Sequence, residues 1–135
     1  MVKKNINTYF YAVGRRKSAV ATVKLFPKKG DSLINDQAVN KYFPTDLLQL
    51  VFQKPLKVSN LFDKYHFLAK IIGGGKNGQA DALSLALARA LVKSDVNLKP
   101  ELRTAGLVTV DSRVRQRRMV GTGGKARRQK QSPKR

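Results

Sequence analysis

The clearest alternation of apolar and polar positions lies near the start of the chain. In Ser18–Leu25, Ala19, Ala21, Val23 and Leu25 alternate with Val20, Thr22 and Lys24, the period of two that a strand with one buried face requires. Tyr9–Val13 reads as the strand before it. Pro27-Lys28-Lys29-Gly30-Asp31 is a turn, and Ser32–Asn35 a short third strand. Asp36 is placed to cap a helix running to Phe43, which Pro44 ends, and Thr45 caps a second helix, Asp46–Phe52. Tyr65–Ile72 is a β-rich apolar run broken by Gly73-Gly74-Gly75. The longest helix is Gly78–Lys93. Leu83, Leu87 and Leu91 recur there every fourth residue, with Ala80 and Ala90 on the same side. Ala82, Ala86 and Ala88 are small enough to let that helix lie close to a sheet. Lys99-Pro100-Glu101 opens a shorter helix, Gly106 closes it, and Leu107–Val110 is a final short strand. The order of elements predicts an α+β or α/β domain of two layers.

Composition narrows the function. The chain has 135 residues, and its 28 Lys and Arg against 8 Asp and Glu give a net charge of +20, which points to a polyanionic partner. It has no cysteine and one histidine, which excludes a disulfide scaffold, a thiolate zinc site, a cysteine nucleophile and a His-rich metal cage. No apolar run approaches the ~20 residues of a membrane helix. Met1–Ile6 contains basic residues with no apolar core after them, so no targeting segment is expected.

The charge is unevenly placed. The last acidic residue is Asp111, and the 24 residues after it carry ten cations and no acid. Val114, Met119, Val120 and Ala126 are the apolar side chains of that stretch. They bury too little surface to offset an ordering cost of ~1–2 kcal/mol per residue. The expected division is therefore an N-terminal extension, 1–8, a globular domain, 9–111, and a basic tail, 112–135, that is disordered alone and ordered on a polyanion.

Four features could carry chemistry. Gly73-Gly74-Gly75-Lys76-Asn77-Gly78 fits G-x-G-x-x-G between a strand and a helix. The acid of a dinucleotide site should end the next strand, whereas Asp95 follows directly on the helix, and the chain has no room for a second nucleotide-binding half. The other readings are a glycine turn that brings backbone amides, Lys76 and Asn77 to a phosphate, or simply a tight strand-to-helix turn. Gln79 stands where a Walker lysine belongs. His66 shares its strand parity with Leu68, Lys70 and Ile72 and has no serine or carboxylate partner in sight, so it reads as a half-buried structural histidine. Gly14-Arg15-Arg16-Lys17-Ser18 places Arg15, Arg16 and Lys17 in the connection between the first two strands, where all three could reach one phosphate backbone. The tail adds Arg113, Arg115, Arg117, Arg118, Lys125, Arg127, Arg128, Lys130, Lys134 and Arg135, flexible cations suited to following grooves and to stacking on unpaired bases. No carboxylate pair suggests acid–base catalysis. Charge alone leaves RNA and DNA both open.

The motifs resemble one family. Tyr11-Ala12-Val13-Gly14-Arg15-Arg16-Lys17-Ser18-Ala19-Val20-Ala21 is similar to the opening signature of small-subunit ribosomal protein nine, bacterial or organellar type. Gly73–Ala82, Ala88-Arg89-Ala90-Leu91, Gly106–Arg113 and the closing Lys134-Arg135 resemble its later motifs in order. The resemblance implies a two-layer α/β sandwich similar to the second domain of ribosomal protein five, with a left-handed β-α-β crossover, plus an extended basic C-terminal tail. It also implies a non-enzymatic constituent of the small subunit, free of cofactors, metals and small-molecule substrates. Its implied partners are ribosomal RNA of the subunit head, neighbouring head proteins and, through Lys134 and Arg135, the P-site tRNA. The implied location is the cytoplasm, or the stroma or matrix of an organelle. The sequence departs from the pattern at Gln116-Arg117-Arg118-Met119, at Gly121-Thr122-Gly123-Gly124, and at Ser132-Pro133, where an aromatic and a serine usually stand. The alternative is a free-standing RNA- or DNA-binding protein.

Overall fold

The computed structural model describes residues 9–126. Strands β1 (Phe10–Arg16) and β2 (Ala19–Phe26) form a hairpin, followed by β3 (Leu33–Ile34), β4 (Gln37–Ala38) and the short helix α1 (Val39–Tyr42). Helix α2 (Asp46–Val58), strand β5 (His66–Ile72) and helix α3 (Lys76–Ser94) come next, then a 3-10 turn (Val96–Leu98) and α4 (Lys99–Thr104). The mixed sheet has the order β1-β2-β5-β3-β4. β2 pairs antiparallel with both β1 and β5, and β3 runs parallel to β5, so the chain from β3 to β5 is a crossover carrying α1 and α2. An α+β architecture is therefore observed.

One sheet face is buried and the other open. Ala12, Ala19, Ala21, Val23, Leu25, Phe67, Ala69 and Ile71 point into the core, and their register neighbours Tyr11, Arg15, Lys24, Leu68, Lys70 and Ile72 are exposed. α3 lies across β1 and β2 and α2 packs against it, with Phe52 of α2 also meeting Phe67 of β5, so every residue from Ala82 to Ala88 is buried. Leu83, Leu87 and Leu91 are fully enclosed, as their four-residue spacing predicts; each contributes about 1.5–3 kcal/mol of apolar burial.

The contact that sets this geometry is at Gly14. A Cβ there would collide with the Ala82 carbonyl oxygen and stand 2.5 Å from the Ala86 amide nitrogen. Only a glycine opposite two alanines lets strand and helix backbones meet. α3 then seals the outer edge of β1: Arg89 donates to the Val13 carbonyl at 2.8 Å and Lys93 to that of Tyr11. An unpaired strand edge is thereby closed by side chains one helical turn apart.

Several sequence expectations are corrected. Asp36 is not a helix cap. Asn35 and Asp36 have φ of 48° and 62° and form the two-residue turn between β3 and β4, the backbone that Asn and Asp tolerate best. Asn35 also continues the parallel ladder with its side chain, accepting from the Ile71 amide at 2.9 Å and donating to its carbonyl at 3.0 Å. α1 starts only at Val39. α2 runs past Phe52 to Val58, through Pro55, because Phe52, Pro55 and Leu56 are all buried on one face. Leu107–Val110 forms no strand. α4 ends as Gly106 donates to the Arg103 carbonyl and Leu107 to that of Leu102. The edge carbonyls of β1 at Tyr11 and Val13 are already taken by Lys93 and Arg89. His66 is half-buried, stacked on Phe26 at 4.9 Å, with Nδ1 donating to the Lys28 carbonyl at 2.7 Å, a structural role as expected.

Two glycines should respond with opposite signs. Gly14→Ala should lower unfolding free energy by about 2 kcal/mol or more, since backbone must move. Gly78→Ala, inside α3 with its nearest neighbour an ordinary 3.5 Å away, should raise it by about 0.5–1 kcal/mol. Urea unfolding followed by circular dichroism measures both.

Candidate nucleic-acid interface

The two motifs singled out in the sequence lie 55 or more residues apart along the chain but meet in space. The tip of the β1–β2 hairpin and the turn before α3 form a cleft of about 310 Å³ lined by Arg16, Lys17, Ser18, Gly74, Gly75, Lys76, Asn77 and Gly78. The turn can close on the hairpin because Gly73 and Gly74 adopt φ of 72° and 70°. A Cβ on Gly73 would also stand 2.7 Å from the Ser18 carbonyl oxygen, and one on Gly74 2.8 Å from Ala19 Cβ. α3 opens into the cleft with Gly75 as its cap, no side-chain acceptor there and no acid in its first turn. Its positive dipole end and first amides thus face the cleft.

The hairpin cations are not equivalent. β1 continues through Arg15 and Arg16, so the turn itself is only Lys17–Ser18, and alternation sends the two arginines to opposite faces. Arg15 is exposed on the open sheet face, and Lys17, at φ 53°, is exposed at the tip. Arg16 points to the helix side. Its Nε lies 3.7 Å from Asp81 Oδ2, its Nη1 3.3 Å from Asp111 Oδ1, and Nη1 also donates to the Arg113 carbonyl at 3.3 Å.

Lys76 is folded back over α1. Its Nζ stands 3.6 Å from the Tyr42 ring centre and donates to the Tyr42 carbonyl at 3.2 Å. The Tyr42 hydroxyl in turn donates to Gln79 Oε1, and Gln79 Nε2 to the Gly73 carbonyl at 3.0 Å. Tyr42, which carries no signal by itself in the sequence, and Gln79, within the glycine motif, therefore hold the glycine turn. Asn77 is exposed. Of the tail cations, Arg113, Arg115, Arg117, Arg118 and Lys125 are exposed on a segment that forms no helix or strand among the described residues. Arg127, Arg128, Lys130, Lys134 and Arg135 lie outside the described residues.

Asp111 anchors the start of that segment. Its carboxylate accepts from the Arg113 backbone amide at 3.1 Å and from the Arg113 guanidinium at 2.7–3.1 Å. Hydrogen bonds from Arg113 hold the Asp111 carboxyl well below the usual carboxylate range, and Arg16 adds to the effect. The folded-state pKa lies below the unfolded one, so the contact contributes stability above about pH 4 and loses it as pH falls through the folded value. Carbon-13 NMR titration of Asp111 should give a midpoint below 3.8. Arg113→Gln should move that midpoint upward.

Among the described residues, no group of His, Cys, Asp and Glu could hold a metal, and no helix is long and apolar enough to cross a membrane. The family model described as ribosomal protein S9/S16 matches residues 14–135. The small ribosomal subunit protein uS9 of Ureaplasma parvum serovar 3 is 46% identical over 135 residues, covering 100% of both chains. The same protein of Ureaplasma urealyticum serovar 10 is likewise 46% identical over the full length of both. The hairpin signature and glycine motif pointed to this family from sequence, and the full-length match bears them out: the chain belongs to the ribosomal protein S9/S16 family.

Proposed function

We propose that the chain is a structural, non-enzymatic constituent of the small ribosomal subunit that binds ribosomal RNA in the subunit head. Membership of the family along residues 14–135 carries this reading. The geometry supports it, because hairpin tip, glycine turn and tail root converge at one end of a molecule of net charge +20. Arg15, Lys17, Asn77 and the α3 amides would contact phosphates there, with Lys76 holding the turn against Tyr42. Arg113, Arg115, Arg117, Arg118, Lys125, Arg127, Arg128 and Lys130 would extend the contact along RNA, and Lys134 and Arg135 would reach the P-site tRNA. The β3–β5 crossover would be left-handed, as in the second domain of ribosomal protein five. Many phosphate contacts with little base readout make a firm but salt-sensitive attachment.

Sedimentation of a lysate through sucrose in moderate salt tests the assignment. The chain should travel with small subunits and whole ribosomes and survive a salt wash; a chain left at the top of the gradient would be a free nucleic-acid-binding protein instead. Against a head fragment of small-subunit RNA, the double variant Arg15→Gln, Lys17→Gln should lower the slope of log K against log salt by about 1.5–2. Truncation after Asp111 should leave a folded domain with RNA affinity reduced by at least about tenfold; loss of cooperative unfolding on truncation would overturn the division at residue 111.

A further inference from the structure

Arg16 lies among the cations of the hairpin yet spends its guanidinium inside the protein. It is the last residue of β1, on the same strand face as Ala12 and Gly14, and its side chain is only 18% exposed. It reaches Asp81 in the second turn of α3 and, with one nitrogen, both the Asp111 carboxylate and the Arg113 carbonyl. The Asp111 carboxylate simultaneously grips the Arg113 backbone amide and guanidinium. Strand end, helix start and the root of the basic segment are therefore tied at one guanidinium.

We propose that Arg16 is a positioning residue: through Asp111 it fixes the root of the C-terminal basic segment beside the hairpin, so that Arg113 and the cations after it engage RNA in register with Arg15 and Lys17. This rests on the RNA-binding reading above. Three features carry it. A surface ion pair alone would be worth little, but here one guanidinium lies 3.7 Å from the Asp81 carboxylate and 3.3 Å from that of Asp111 while donating to a main-chain carbonyl, a spread of planar donors that a lysine lacks. Leu107–Asp111 forms no strand or helix; Leu107 and Val108 pack against the core, and past them the bonds at Asp111 and Arg113 set the direction of the tail root. A segment pre-aligned at its root loses less freedom on binding than one that swings. Arg16 acts on RNA by holding an acid, and that reverses the expected sign of a mutation at the acid.

The test uses the full chain and the same RNA fragment of the subunit head. If Arg16 acts through Asp111, Asp111→Asn should weaken binding about three- to tenfold although it removes a negative charge. Arg16→Gln should weaken it equally, the double variant no further, and the salt slope should stay within about 0.3 of the parent's. If Arg16 is instead a phosphate contact, Arg16→Gln should lower the slope by nearly one and Asp111→Asn should bind as tightly as the parent or more tightly; that pattern overturns the proposal. A second measurement needs no RNA. The chain lacks cysteine, so spin labels at Arg103→Cys and Gln116→Cys report the distance from α4 to the tail root. Both latch variants should broaden that distribution, and an unchanged distribution would also overturn the proposal. Failure of the parent chain to bind the RNA at all would instead sink the RNA reading, leaving the distance measurement to judge the latch.

Discussion

The cationic end of the molecule depends on how closely α3 approaches β1. Gly14 has no side chain to hold the two backbones apart, and Ala82 and Ala86 present only methyl groups on the facing helix. A larger residue at any of these positions would lift the helix and, with it, Asp81, the glycine turn and the first amides of α3. Because a packed interior does not deform continuously, the register of the hairpin tip against the α3 N-terminus is set by this one close contact. The cleft between the two motifs and the 3.7 Å ion pair of Arg16 with Asp81 both depend on it.

With that register fixed, the cations around β1, the glycine turn and the tail divide into two populations. Arg89, Lys93, Lys76 and Arg16 bond to carbonyls or carboxylates of the protein itself: two close the free edge of β1, one pins the glycine turn over Tyr42, and one ties the tail root. Arg15, Lys17 and the described tail cations beyond Arg113 face solvent. A highly basic protein thus spends part of its positive charge on its own architecture. Each of these bonded cations satisfies an oxygen that would otherwise face water or a foreign strand, while the others remain for a polyanion.

The fold was legible where a residue's own chemistry decided it. Alternation in β2, the four-residue leucine spacing of α3 and the closing role of Gly106 were all visible as pattern. Misreadings arose where a neighbour distant in sequence decided. Asp36 looks like a cap until β3 and β4 pair around it; the helix expected to end at Phe52 runs on to Val58 because Pro55 and Leu56 are buried with Phe52. Leu107–Val110 has strand composition, but Leu107 and Val108 pack against the core and the segment pairs with no strand among the described residues. At the site, both glycine and hairpin motifs stood out, whereas Tyr42 did not, and nothing local showed what Gln79 and Asp81 within the glycine motif would touch, because single polar residues carry no local signature of their partners.

What the sequence by itself determined is the inventory: an α+β order of elements, an acid-free basic C-terminal stretch, no thiol chemistry, and motifs specific enough to indicate the family. These follow from period, charge and residue type, which are properties of the chain taken locally. The tertiary structure alone decided that the two motifs form one cleft, that Arg15 and Arg16 part to opposite sides of a strand, and that Lys76 folds over Tyr42. Those are outcomes of strand alternation combined with a glycine-mediated approach of helix to sheet. A hydrogen bond spanning 97 residues, from Arg16 to the Arg113 carbonyl, exists only once that approach has been made.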